Sequence, residues 1–178
     1  MIRLFAAIAI PGEIGETLAR RQQGLPGARW RPASALHLTL RFIGEVAETT
    51  AEDVDAELAL VAGPALSLEL ESVGVFQEGD EIRALWAGAS ENEPLRRLAA
   101  RCEAAARRAG LAPERRVWRP HVTLAYLRRA DPARVATWVQ ANSLLKSPLF
   151  QVKSFGLYSS HLGQSGASYQ LERLYRLG

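Results

Sequence analysis

Two stretches of the chain alternate apolar and polar residues and contain the same short pattern. LHLTLRFIGE covers residues 36–45, and PHVTLAYL covers residues 120–127. A period of two predicts β-strands, because successive side chains of a strand point to opposite faces. The leucines and the valine are therefore expected to face a core, whereas His37, His121 and the threonine two residues after each histidine share the opposite faces.

Around these strands the same order of elements is predicted twice. Strand, helix, histidine strand, helix and strand follow one another in residues 1–82 and again in residues 83–178, with a further strand near the C-terminus. The predicted helices run from Pro11 to about Gln23, from about Thr50 to Val61, from Pro94 to Gly110, and onward from an Asp-Pro start at Asp131. We interpret the chain as one domain of two pseudo-repeats, about 1–82 and 83–178, packed so that both histidine strands border one cleft.

Composition places the chain among ordinary globular proteins, with 178 residues, 48% hydrophobic and 23% charged. No run of 18 apolar residues occurs, so no membrane span is expected. Cys102, the single cysteine, excludes an intramolecular disulfide and a cysteine-based zinc site, which fits a cytoplasmic protein, and we expect it in the core.

The net charge of +3 is unevenly distributed. Residues 1–82 contain 6 Arg and 13 Asp or Glu, a net −7, whereas residues 83–178 contain 16 Lys or Arg and 6 Asp or Glu, a net +10. A basic surface in the second part is suited to a polyanion such as a nucleic acid, although solvated arginines would give the same composition. The arginine-rich segment 105–120, which leads into the second histidine strand, is the candidate to guide such a polyanion.

Two matched histidines indicate acid-base chemistry. Threonine makes up only 6 of the 178 residues, so its recurrence two positions after both His37 and His121 is not readily a coincidence. One neutral imidazole can accept a proton while a charged one donates a proton, and the threonine hydroxyls can bind a phosphoryl oxygen. Neither motif has another metal ligand at suitable spacing, so we expect no metal and no cofactor. The residues alone do not decide which histidine is the acid.

The chain resembles one known family over nearly its whole length. The resemblance rests on the two histidine motifs and on five further segments: RLFAAIAIP, RWRPASALHLTLRFIGE, GVFQ, ALWAG and FGLYSSHLGQSGASYQLERLYRL. The chain is similar to the 2H phosphoesterases, and among them to the RNA 2′,3′-cyclic phosphodiesterases, also called 2′-5′ RNA ligases. The resemblance implies an α+β fold of two lobes, in which two antiparallel sheets face a central cleft and helices lie outside.

For function, the resemblance implies hydrolysis of a terminal RNA 2′,3′-cyclic phosphate to a 2′-phosphate. His37 would be the proton donor to the 3′ oxygen, His121 the proton acceptor that activates water, and Thr39 and Thr123 would bind the phosphate. Two alternatives stay open: reversible 2′-5′ RNA ligation or cleavage of small cyclic or 2′,5′-linked nucleotides, and a non-catalytic RNA-binding module. A monomer is expected, because one duplicated chain already supplies both halves of a cleft.

The chain departs from the family at Tyr126, where members often have arginine. Either Arg128 or Arg129 substitutes for that arginine, or Tyr126 stacks on a base instead. Better candidates for phosphate binding are Arg119, two residues before the second histidine, and Arg41, which strict alternation places on the strand face of the first histidine.

Three further residues have competing interpretations. Phe76 follows VGV at a strand end, where it either stacks on a base or packs in the core, and packing is favoured. Trp86 is expected in the core. His161 has no threonine two residues later and is expected in an exposed loop, SSHLGQSGAS, with contact to substrate as the less favoured alternative.

Overall fold

The computed structural model describes residues 1–163 and 166–178, which form ten strands, four α-helices and one short 3-10 helix. In chain order these elements are β1 (Ile2–Ala9), α1 (Gly12–Ala19), β2 (Ala28–Trp30), the 3-10 helix (Ala33–Ala35), β3 (His37–Val46), α2 (Glu48–Ala59), β4 (Leu66–Leu68), β5 (Leu70–Glu78), β6 (Glu81–Ala89), α3 (Glu93–Arg108), β7 (His121–Leu127), α4 (Pro132–Asn142), β8 (Phe150–Val152), β9 (Ser154–Gly163) and β10 (Gly166–Arg176).

The predicted order of elements is confirmed, except that the single strand expected after the second helix of each repeat is two strands, β4 with β5 and β8 with β9. Local signals explain where helices begin. The side chain of Asn92 accepts a hydrogen bond from the backbone N–H of Leu95 at the start of α3, and Asp131 caps α4 in the same way through Ala133. The first helix is shorter than predicted, because α1 ends at Ala19 and single i to i−3 turns follow it. The short strand β2 was not predicted.

All strands pair antiparallel, and the α+β class is confirmed. In the larger sheet the order is β10-β9-β1-β3-β7-β6-β5, with β2 also paired to β7, and β4 pairs with β8 in a second, two-stranded sheet. We call β10, β9, β1 and β3 the first half of the larger sheet, and β7, β6, β5 and β2 the second half. Neither half comes from one pseudo-repeat alone, because β5 lies beside β6 and β9 lies beside β1. The division into repeats near residue 82 stays a prediction.

The core lies between the larger sheet and helices that pack on one of its faces. Leu38, Leu40, Val122 and Leu124 are 0 to 2% exposed, as the alternation predicts, and they join one cluster with buried residues of the helices. Cys102 of α3 is fully buried, and burial raises the pKa of its thiol to about 12. We call this side of the sheet the core face and the opposite side the cleft face.

A search of the described residues finds no helix with the length and apolar character needed to cross a membrane.

Candidate active site

The two histidine strands are adjacent, and they meet at the motifs themselves. Within the described residues, β3 and β7 pair through one position, Leu38 opposite Val122. In an antiparallel pair with this register, His37 stands opposite Thr123 and Thr39 stands opposite His121. Both leucine and valine point to the core face, so the two histidines and two threonines together occupy the cleft face. The histidines are diagonal neighbours across the pair, a relation in which residues are about 7–8 Å apart and their Cβ atoms somewhat closer.

Each motif is followed at once by a β-bulge. On β3, Thr39 pairs with Ala7 and Arg41 with Ala6, which leaves Leu40 as the extra residue. On β7, Thr123 pairs with Trp86 and Ala125 with Leu85, which leaves Leu124 as the extra residue. A bulge reverses the alternation of faces beyond it. The cleft face is therefore continued by the residues five positions after each histidine.

These residues are Phe42 and Tyr126, which are 53% and 45% exposed. Phe42 pairs with Phe5 of β1, and Tyr126 pairs with Ala84 of β6. Exposed aromatic rings beside two acid-base candidates are suited to contact a nucleobase or ribose. The sequence indicated Tyr126 as a candidate but not Phe42. Phe42 could have been found from its position, because it follows His37 by five residues, as Tyr126 follows His121.

Both imidazoles are held by the same hydrogen bond. His37 Nδ1 lies 3.0 Å from the carbonyl oxygen of Ala35, and His121 Nδ1 lies 2.7 Å from that of Arg119. Because a carbonyl oxygen can only accept, Nδ1 carries the proton in both rings. The nitrogen left for proton transfer to or from a ligand is therefore Nε2 in each ring.

The surroundings of His37 are aromatic and close. The ring centroids of Phe5 and Tyr169 lie 4.8 and 5.0 Å from that of His37. Burial lowers the pKa of His37 to about 4, against a smaller rise from the Ala35 hydrogen bond, and the charge of Arg31 and that of His121 lower it further. Without a ligand, His37 is therefore neutral at pH 7.

His121 has a more open environment. The ring of Phe76 meets it edge-on at 4.7 Å between centroids, and burial lowers the pKa of His121, opposed by its hydrogen bond to Arg119. His121 and Thr123 line a cavity of about 990 Å³, which we call the main cavity. Its wall also includes Thr39, Phe42, Phe76, Arg119 and Tyr126.

The expectation that Arg41 shares the strand face of His37 is wrong. The bulge at Leu40 turns Arg41 toward the core face, where its guanidinium donates to Glu103 of α3 and, at 2.7 Å, to the carbonyl of Ala112. Arg41 reaches the wall of the main cavity, but it is only 8% exposed and its donors already have partners. Arg119, in contrast, is exposed at this cavity, and its phosphate-binding role stays a prediction.

Two further expectations are corrected. Trp86 lies on the cleft face opposite Thr123, half-buried, with its ring across Gly74, where a Cβ atom would come within 2.2 Å of the ring. His161 belongs to β9, where it pairs with Ser168, and it is an exposed strand residue. Gln164 and Ser165, in the predicted loop, lie outside the described residues.

Arg31 was not singled out by the sequence. It lies close enough to His37 to lower the pKa of that ring, yet it follows β2, a strand too short to show a pattern. Its backbone N–H donates to the carbonyl of Leu124 on β7, so its place depends on a contact between distant parts of the chain.

Among the residues that the structure describes, no group of three or more His, Cys, Asp or Glu side chains is arranged to hold a metal ion.

Comparison with known proteins identifies the family of the chain. Residues 10–164 match the family model of the 2′-5′ RNA ligase superfamily. The chain is 33% identical over 137 residues to the RNA 2′,3′-cyclic phosphodiesterase of Aeropyrum pernix, covering 75% of this chain and 77% of the relative. It is 35% identical over 139 residues to that of Escherichia coli, covering 74% of each chain.

A solved structure, Escherichia coli LigT in complex with 3′-AMP, superposes with a TM-score of 0.81 at 27% identity and covers 99% of this chain and 98% of that chain. The chain therefore belongs to the 2′-5′ RNA ligase superfamily and, within it, to the family of the RNA 2′,3′-cyclic phosphodiesterases. The resemblance inferred from the sequence and the fold class that it implied are confirmed.

Proposed function

We propose that this chain hydrolyses the terminal 2′,3′-cyclic phosphate of RNA to a 2′-phosphate, without a metal, by acid-base catalysis with His37 and His121. The observation that carries the proposal is the matched placement of the two rings. Each donates Nδ1–H to a carbonyl two residues earlier, and each shares the cleft face with the two threonines. Relatives named for this activity support the choice of substrate.

The proposed hydrolysis requires only water, the two histidines and the two threonines. Water attacks phosphorus while its proton passes to Nε2 of His121, and the bond from phosphorus to the 3′ oxygen breaks as Nε2 of His37 gives that oxygen a proton. The products are a 2′-phosphomonoester and a free 3′ hydroxyl. Thr39 and Thr123 donate to the non-bridging phosphoryl oxygens as charge develops on them.

The acid role of His37 requires a proton that its low pKa denies it in the free protein. A bound phosphate would raise the pKa of His37, because a negative charge beside Nε2 favours the imidazolium form. The effect is strong where water is excluded. Substrate binding and protonation of His37 are therefore coupled. His121, with its more open environment, stays neutral as the base.

The test is conversion of an oligoribonucleotide with a 2′,3′-cyclic phosphate end in excess chelator, with the product analysed as 2′- or 3′-phosphate. A 2′-phosphate product in chelator is expected. A 3′-phosphate product would reverse the leaving oxygen and the histidine assignment, and a requirement for added metal would contradict the mechanism. Binding without turnover would favour the RNA-binding alternative.

Reversible 2′-5′ ligation is the second candidate, favoured by the family model that the chain matches. It is the same displacement with an RNA 5′ hydroxyl in place of water, so the same two histidines would serve. Adding a second RNA with a 5′ hydroxyl to the hydrolysis assay distinguishes the two, because ligation yields a longer product.

Residence in the cytoplasm and a monomeric state stay predictions.

A further inference from the structure

A second cavity, of about 440 Å³, adjoins the main cavity and has no part in the mechanism above. We call it the side cavity. Tyr126 lines both cavities, so they share a wall on the cleft face. The other walls come from β2 and the 3-10 helix on one side and from the beginning of β10 on the other. The lining includes Arg29, Arg31, Ala35, Gly166, Ala167 and Tyr169.

Arg31 is a buried cation in this wall. It is 8% exposed, and no carboxylate of the described residues forms an ion pair with it. Its guanidinium reaches the carbonyl of Ala167 at 3.3 Å and lies 4.9 Å from the ring centroid of Tyr169. A buried charge without a counter-charge costs stability. An anionic ligand would remove that cost, which makes Arg31 a ready contact for a phosphate.

Arg29 adds a second cation at the mouth of the same cavity. It is exposed, and its guanidinium lies against Gly166, where a Cβ atom would come within 2.7 Å of Nη2. Residues i and i+2 of an extended segment share a face, so Arg29 and Arg31 point the same way. These arginines belong to the acidic part of the sequence, 1–82, and not to the basic segment 105–120 that was expected to guide RNA.

The side cavity is next to the catalytic acid candidate. Ala35, whose carbonyl holds Nδ1 of His37, forms part of its wall, and Tyr169 touches both His37 and Arg31. The two arginines of the side cavity therefore lie on the His37 side of the cleft in which the proposed function places the cyclic phosphate.

We propose that the side cavity binds the phosphodiester that joins the terminal nucleotide to the rest of the RNA, with Arg31 as the buried contact and Arg29 as the exposed one. This inference rests on the proposed function and adds a subsite to it. It follows that an oligonucleotide is a better substrate than a nucleoside 2′,3′-cyclic phosphate, which has no such phosphodiester.

The experiment compares kcat/KM for adenosine 2′,3′-cyclic phosphate with that for the dinucleotide ApA ending in a 2′,3′-cyclic phosphate. Arg31→Gln changes the surroundings of His37 for both substrates, so the readout is the ratio of the two values: kcat/KM for the dinucleotide is expected to fall about 10- to 100-fold more than that for the mononucleotide, the effect of a lost charge-assisted hydrogen bond. Arg29→Gln is expected to cost the dinucleotide about 2- to 5-fold. The matched control Arg20→Gln removes an exposed arginine outside both cavities and should change neither.

An equal loss on both substrates would overturn the inference, because it would mean that Arg31 only positions Tyr169 and His37. No loss on either substrate would overturn it too. If Arg31→Gln does not fold, as judged by its thermal unfolding, Arg29→Gln decides by the same comparison.

A binding measurement separates this inference from the proposed reaction. Calorimetry with the intact chain should give tighter binding of the dinucleotide ApAp than of 3′-AMP, with the difference abolished in Arg31→Gln. If the chain turns over neither cyclic phosphate but keeps this difference, the proposed function fails and the subsite stands. Equal binding of the two ligands contradicts the subsite whatever the activity.

Discussion

The two histidine strands have the same backbone design and different surroundings. Both histidines donate Nδ1–H to the carbonyl two residues earlier, and both strands bulge directly after the motif, at Leu40 and Leu124. The backbone therefore fixes where both Nε2 atoms lie. What differs is the set of side chains that cover each ring.

His37 is enclosed by Phe5 and Tyr169 with Arg31 nearby, whereas His121 lies at the wall of the main cavity with Phe76 at its edge. Burial is the main cause of the low pKa in both rings, and for His37 it brings the pKa to about 4. Nearly symmetric backbones therefore hold two imidazoles in unlike surroundings, because different side chains cover each ring.

The largest expected effect of breaking the pair is on catalysis. His37→Ala and His121→Ala should each lower kcat for the cyclic-phosphate oligonucleotide by about 10²- to 10⁴-fold, since each removes a general acid or base. His161→Ala removes the third histidine, an exposed residue of β9, and should leave kcat unchanged. Full activity in either of the first two variants would exclude the two-histidine mechanism.

The residues just after the bulges provide the next test. Arg41 is buried and paired with Glu103, whereas Ala125 holds the matching position on β7. Arg41→Gln should lower the free energy of unfolding in urea by about 3 kcal/mol, because it leaves buried acceptors and Glu103 without their partner. Arg97→Gln, which breaks an exposed pair with Glu93, should cost less than about 0.5 kcal/mol.

Arg41→Gln should keep the KM for the oligonucleotide close to that of the unmodified chain at a temperature where both are folded. A large rise in KM without loss of stability would show that Arg41 binds substrate after all.

The difference between the histidines should also appear in stability against pH. His37 has a pKa of about 6.5 in the unfolded chain and about 4 in the folded chain. Between these two pH values the unfolded state therefore binds more protons than the folded state. Stability is therefore lost as the pH falls, by about 2 kcal/mol between pH 7 and pH 5 from His37 alone. Urea unfolding of His37→Gln should show a pH dependence smaller by that amount, and an unchanged dependence would contradict the burial of His37.

The same asymmetry predicts the pH dependence of turnover. Both histidines of the free protein have lowered pKa values, so kcat/KM should follow a bell with its maximum below pH 6.5. The apparent pKa that reports His37 should be higher in the profile of kcat than in that of kcat/KM, by more than about one pH unit, because the bound phosphate stabilises the charged form of His37. Identical profiles for kcat and kcat/KM would mean that substrate does not change the protonation of His37.

The smallest expected effect concerns the two cleft aromatics. Phe42→Ala and Tyr126→Ala should each raise KM for the oligonucleotide by about 5-fold, or about 1 kcal/mol, if the rings stack on bases or ribose. Tyr126→Phe keeps the ring and should change KM less than Tyr126→Ala does. Equal effects of Tyr126→Phe and Tyr126→Ala would assign the contact to the hydroxyl.

The sequence predicted the elements and the central pair because those depend on short-range patterns. Alternation alone placed Leu38 and Val122 in the core and the histidines opposite them. It failed at Arg41, since a bulge depends on the register between two strands and has no signature in the sequence of one. It also missed Arg31, because β2 pairs with β7, nearly 100 residues away, and not with its neighbour β3. The positions of Arg41 and Arg31 are thus properties of the tertiary fold.

Each half of the larger sheet contains strands from the N-terminal and the C-terminal part of the chain, and this affects how a cleaved chain would fold. The turn between β5 and β6, at Gly79 and Asp80, is exposed, but β5 is hydrogen-bonded along its length to β6 on the other side of that turn. In the same way β9, from the C-terminal piece, supports β1 of the N-terminal piece. A chain cleaved there would not yield two separate folding units. Its fragments would have to complement each other, and the two histidine strands of the candidate active site would form together or not at all.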